Sequence, residues 1–164
     1  MSGWFVVNVA DAPALHHDDA GDVVAFEAAA DGRFPDFGIN VRVLRPGQPD
    51  AMYHAENRQE GFLVLSGECV AIVDGEERPL KAWDYLHCPA GTPHVLVGAG
   101  DGPCAIVMVG GRGEGATVHY PVSEAAARFG ASVAEPTDDP REAYAPWGGR
   151  ASLVPTRITW PPTG

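Results

Sequence analysis

Residues 53–68 read YHAENRQEGFLVLSGE, a histidine and acidic stretch that runs straight into the apolar residues 62–65. Alternate residues of an extended strand share a face, so His54, Glu56 and Glu60 are expected on the same side as Phe62 and Val64. Two carboxylates gathered above an apolar floor repel each other, and one takes up a proton unless a cation lies between them. A divalent metal answers this most simply. Imidazole nitrogen with carboxylate oxygen suits Fe(II), Mn(II), Ni(II) or Zn(II). A further ligand is expected from HCPAGTPHVLV at 87–97, where a Gly-containing turn delivers His94 at the start of an apolar strand.

The rhythm around this stretch is that of short strands and tight turns. After FLVL come the turn Ser66-Gly67, the run ECVAIVD, and Asp74-Gly75, a strong two-residue hairpin signal. RPLKAWDYLHC, the turn PAGTP, HVLV, the loop GAGDGP and CAIVMVG follow. Further strands are expected at 4–9 (WFVVNV), 22–27 and 38–45, the last alternating Ile39, Val41 and Val43 with Asn40, Arg42 and Leu44. Even spacing with Gly or Pro at each turn predicts an all-β sandwich or barrel. One short helix is expected at 123–130, with Ser123 as N-cap and Gly130 as the stop. The tail 131–164 carries Pro136, Pro140, Pro146, Pro155, Pro161 and Pro162, which argue against a regular helix, and Trp147 and Trp160, which argue that it docks. His16, His17, Asp18 and Asp19 read as a solvated loop.

With 164 residues, the chain is expected to be a single domain, with a barrel core at about 38–110, an N-terminal strand arm at 1–37 and a C-terminal helix and tail at 111–164. The formal charge of −11 makes nucleic acid an unsuitable partner. No segment reaches the apolar length needed to span a bilayer, and the start MSGWFVVNVADAP lacks the basic segment of a secretory signal, so a cytoplasmic protein is expected. Cys69, Cys88 and Cys104 are odd in number and sit in apolar strands, which predicts buried free thiols.

The order of these motifs resembles the cupin superfamily. The first cupin motif runs glycine, a spacer, His-x-His, Glu and Gly, and here Gly47, His54-Ala55-Glu56, Glu60 and Gly67 stand in that order. The second runs Gly-Asp, Pro-x-Gly-x-x-His and Asn, and here Trp83-Asp84, Pro89-Ala90-Gly91-Thr92-Pro93-His94 and Gly98 correspond. Glu56 replaces the usual second histidine, and Gly98 stands where asparagine is common.

The resemblance implies a small antiparallel jelly-roll barrel with one divalent transition metal near its axis, held by His54, Glu56, Glu60 and His94. This donor set is harder than three histidines, which favours Mn(II) or Fe(II), with Zn(II) and Ni(II) open. A second arrangement, with Glu56 pointing away and two histidines and one carboxylate remaining, stays open as well. The resemblance also implies a small-molecule substrate or ligand, and a homodimer formed by exchange of an N-terminal strand such as WFVVNV. Two functions follow from different classes. One is a metal-dependent enzyme acting on a small polar organic molecule, dioxygenase-like or isomerase-like, with Glu56 and Tyr53 as catalytic candidates. The other is a non-catalytic barrel that binds a sugar or other metabolite.

Overall fold

The computed structural model describes residues 4–29, 32–148 and 153–162. Its strands are β1 (Ala14–His17), β2 (Gly21–Ala25), β3 (Phe37–Leu44), β4 (Ala55–Glu56), β5 (Glu60–Ser66), β6 (Glu68–Val73), β7 (Glu76–Lys81), β8 (Tyr85–Cys88), β9 (His94–Ala99), β10 (Cys104–Gly111), β11 (Val118–His119) and β12 (Val154–Thr156). A seven-stranded sheet in the order β12-β1-β2-β3-β10-β5-β8 faces a three-stranded sheet β7-β6-β9, and β11 pairs with β4 near the open end. Every pairing is antiparallel. This is an all-β jelly-roll barrel.

Alternation builds the interior. On β5 and β10, Phe62, Val64, Ile106 and Met108 turn inward against Cys69, Ala71 and Leu96 of the facing sheet, while Leu65, Ala105 and Val107 pack on the opposite side with Val41 and Val43. Strand β9 is buried on both faces because Val95 and Val97 also pack under the C-terminal segment, against Ala126, Ala131 and Trp147. Truncating a side chain such as the fully buried Leu96 to alanine typically costs about 2–5 kcal/mol. The hairpin between β6 and β7 turns on Asp74 (φ 50°) and Gly75 (φ 78°), the paired positive angles of the expected two-residue turn. All three cysteines are free and buried.

The ends of the chain correct several expectations. Residues 4–8 form no strand, and Trp4 and Val6 are exposed. The first strand is instead β1, and its outer edge is already taken by β12 through Leu15↔Pro155, which denies the WFVVNV segment a backbone partner there. His16 and His17 lie in β1 rather than in a loop: His16 Nδ1 contacts Asp22 at 2.6 Å, and His17 is buried with its ring 5.9 Å from Trp147.

The expected helix at 123–130 shortens to α1 (Glu124–Ala127), with Ser123 Oγ accepting the Ala126 N–H at 3.2 Å. A second short helix, α2 (Pro140–Ala143), forms inside the proline-rich tail. It is possible because Pro140 occupies the first helical position, where a missing N–H costs nothing. Trp147 docks as expected and is 7% exposed.

Candidate metal centre

The central feature is the meeting of β4 and β9. Both strands begin where His54 and His94 face each other in an isolated antiparallel bridge, exchanging hydrogen bonds from His54 N–H to the His94 carbonyl (3.1 Å) and from His94 N–H to the His54 carbonyl (2.8 Å). The bridge sets their rings on one face, with centroids 4.9 Å apart. Each ring is then fixed in the same way. His54 Nδ1 lies 2.7 Å from the Met52 carbonyl, and His94 Nδ1 lies 2.9 Å from the Thr92 carbonyl. A carbonyl only accepts, so Nδ1 carries the proton in both rings and Nε2 is turned toward the cavity. Ligating histidines are commonly anchored by this kind of backbone hydrogen bond.

Glu60 enters from the first residue of β5. One ligand atom each from His54, Glu60 and His94 lie within 4.8 Å of one another. His94 is 1% exposed, and its Nε2 meets Glu60 Oε2 at 3.2 Å as an ion pair, outside hydrogen-bond geometry among the described residues. Close approach without hydrogen-bond alignment is what two donor atoms show when they aim at a common third point. A cation at that point would be shared by the imidazole nitrogen and the carboxylate oxygen alike. The residues present fit a divalent metal.

Electrostatics around the three residues tell the same story. Burial, aided by the neighbouring His94, pushes His54 down toward its neutral form. Burial also acts to lower His94, but the Cys88 thiol and the Glu60 carboxylate outweigh it, and the imidazole is pushed up to about 11. The metal-free site thus stores one positive charge on His94, next to carboxylates.

The expected fourth ligand stands apart. Glu56 lines the same cavity but is not in the three-residue cluster. Its carboxyl is pushed up, first by burial and then by the Glu60 charge. Tyr53 is a clearer correction. It is 4% exposed, is absent from the cavity wall, and accepts the Gly75 N–H at 3.0 Å, so it bolts the β6–β7 hairpin to the chain before β4. Tyr85 and His87 face outward on β8. Cys88 is buried behind His94 and is not in the cluster.

The cavity has a volume of about 400 Å³, and several of its wall residues come from elsewhere in the chain. The polar residues of β3, Asn40 and Arg42, face into it, while Val41 and Val43 face the outer apolar cluster. Arg112 lies across the wall beside Gly38, where a Cβ would sit 2.7 Å from its Nη2. Its guanidinium is held by both oxygens of Glu27 and by the Phe34 carbonyl at 3.1 Å. Tyr120 and Tyr144 close the far side, with Tyr120 centred 6.0 Å from His54. The alternation on β3 was the available signal for Asn40 and Arg42; nothing local marks Tyr120 or Tyr144. The unusual Gly98 also has a reason, since a Cβ there would stand 2.2 Å from the Arg45 carbonyl oxygen.

Residues 40–110 match the family model described as a cupin domain. That span of the chain matches a cupin domain. The matched span runs from β3 to β10 and includes all three clustered residues of this cupin domain.

Among solved structures, the chain is similar to a sugar phosphate isomerase of the cupin superfamily from Silicibacter pomeroyi, with 21% identity over 87% of this chain and 83% of that one and a TM-score of 0.55. It is also similar to a polyketide cyclase from Streptomyces resistomycificus, with 18% identity, coverage of 66% and 79%, and a TM-score of 0.56. It spans 62% of the length of a candidate sugar phosphate isomerase from Acidithiobacillus ferrooxidans, with 21% identity over 58% of this chain and a TM-score of 0.53. At these identities the likenesses establish the cupin fold. No curated protein matches the chain in sequence.

Proposed function

We propose that His54, Glu60 and His94 hold one divalent transition metal, Mn(II) or Fe(II) ahead of Zn(II) or Ni(II), and that the protein is an enzyme acting on a small polar organic molecule by isomerase-like proton transfer. The observation that carries this is the convergence of one ligand atom each from His54, Glu60 and His94 within 4.8 Å of one another, with His94 buried. When bound there, a divalent ion supplies a Lewis acid that polarises a substrate oxygen.

The chain's own residues supply the rest. Nδ1 anchoring to the Met52 and Thr92 carbonyls fixes both imidazoles before any ligand arrives. Glu56 stands outside the cluster but in the same cavity, with its carboxyl pushed up by burial and by the Glu60 charge, and is placed to act as the proton-transfer group. Phe62 and Met108 form an apolar part of the wall, where a substrate carbon can lie beside that carboxyl in a partly dried environment. A second reading, dioxygenase-like oxygenation, is favoured by the donor set itself, because two histidines and one carboxylate leave coordination positions open.

The test is deuterium uptake at carbon. Metal-loaded protein is incubated in D2O with small hydroxyketones and hydroxy acids and followed by NMR. Uptake that disappears in Glu56→Gln while metal is retained supports proton transfer by Glu56. Uptake unchanged in that variant contradicts it, and saturable binding without any turnover favours the non-catalytic binding barrel.

A further inference from the structure

The metal-centre cavity does not end at its tyrosines. A second cavity of about 680 Å³ lies beneath the C-terminal segment, and Arg42, Asp50, Tyr120 and Tyr144 line both. Its mostly apolar wall includes Trp147, whose ring packs edge-on to Tyr144 at 5.4 Å, as Tyr144 does to Tyr120 at 5.9 Å. Aromatic rings therefore lead from His54 through the junction and out under the tail.

At that junction, the partly buried Arg42 guanidinium makes no ion pair within 4.0 Å among the described residues, and its one hydrogen bond is a long one, from Nη1 to the Ala20 carbonyl at 3.4 Å. Asp50, the buried carboxylate of the same junction, commits Oδ1 to the Leu96 N–H at 2.8 Å. Arg112, by contrast, is fully engaged by Glu27 and Phe34. Partly buried charges are normally paired. On the same face of β3, two residues away, Asn40 Oδ1 is buried without a hydrogen-bond partner. Among the described residues, Arg42 thus brings unused donors to the passage between the candidate metal and the aromatic wall, while the unused Asn40 Oδ1 can only accept.

The geometry points to Arg42 as the residue that holds an anionic group of the substrate, a carboxylate or phosphate, with the substrate's apolar or planar part lying along Tyr144 and Trp147. This names the substrate class for the metal-dependent reading above and rests on it. A guanidinium fork matches both oxyanions bidentately.

The experiment measures affinity by calorimetry for three probes, phenylacetate, phenyl phosphate and the neutral phenylacetamide. Each is titrated into the parent, Arg42→Gln and Arg42→Lys, both manganese-loaded and chelator-stripped, with circular dichroism confirming the fold. Phenylacetate or phenyl phosphate is expected to bind the parent and to lose roughly tenfold or more in Arg42→Gln, with Arg42→Lys intermediate and phenylacetamide weak in all three. The stronger anion identifies carboxylate or phosphate as the natural group. Anion affinity unchanged in Arg42→Gln, or no anion preference in the parent, overturns the assignment. Manganese binding is read separately in every variant: its failure defeats the metal reading, whereas intact manganese binding with Arg42-independent anions defeats only this inference.

Discussion

His54 and His94 are joined twice over: their main chains exchange both hydrogen bonds of an antiparallel bridge, and their imidazoles are both pinned through Nδ1 to the carbonyl two residues earlier. Residues 40 positions apart are thereby locked into one donor pair. Little reorganisation is left for an arriving ion to impose, which is the condition for tight and specific coordination.

That arrangement makes metal uptake a proton exchange. Glu60 and Cys88 hold His94 up to about 11, so its imidazole is protonated near neutrality and must lose a proton before Nε2 can coordinate. Calorimetric titration of manganese in buffers of different ionisation enthalpy is expected to show close to one proton released, and apparent affinity is expected to rise between about pH 7 and 9. Affinity that is flat with pH, without proton release, would show that the ion binds elsewhere.

The Glu27 and Arg112 pair ties the segment before β3 to the end of β10. Arg112 holds the Glu27 carboxyl below its usual value, so the stabilisation is present above the unfolded-state pKa and is lost as pH falls through the lower folded-state value. With both side chains partly exposed, about 1 kcal/mol is expected. Glu27→Gln should lower Tm at neutral pH, and the gap from the parent should close below about pH 4. A gap that widens on acidification would reverse the sign.

Tyr53 should behave as a structural residue. Tyr53→Phe removes the acceptor of the buried-side Gly75 N–H and is expected to cost about 1 kcal/mol in urea denaturation while leaving metal content and turnover unchanged. Loss of turnover at unchanged stability would return it to the catalytic set.

The barrel was legible because its strands announce themselves by alternation and its turns by Asp74-Gly75, Gly67 and the PAGTP loop. The site was legible where a turn or the order of the motif marks a residue, as the PAGTP turn does for His94 and the motif does for His54 and Glu60. The chain jogs at 57–59, and parity carries no memory across a bend, so alternation alone could not say which of His54 and Glu56 converges with Glu60. The N-terminal error has a similar cause. WFVVNV has strand composition, but a strand needs a partner edge, and the neighbouring edge is filled by β12 from the other end of the chain. Pairing between distant termini, like the approach of Tyr144 and Trp147 to the cavity, has no local signature.

The most direct measurement is elemental analysis of protein purified without added metal or a histidine tag, with His94→Ala, Glu60→Ala, Glu56→Ala and His16→Ala alongside. Near-stoichiometric manganese or iron is expected in the parent, Glu56→Ala and His16→Ala, and its loss in His94→Ala and Glu60→Ala. Equal metal content in all five proteins, or none in the parent even after reconstitution, would contradict the His54, Glu60 and His94 centre.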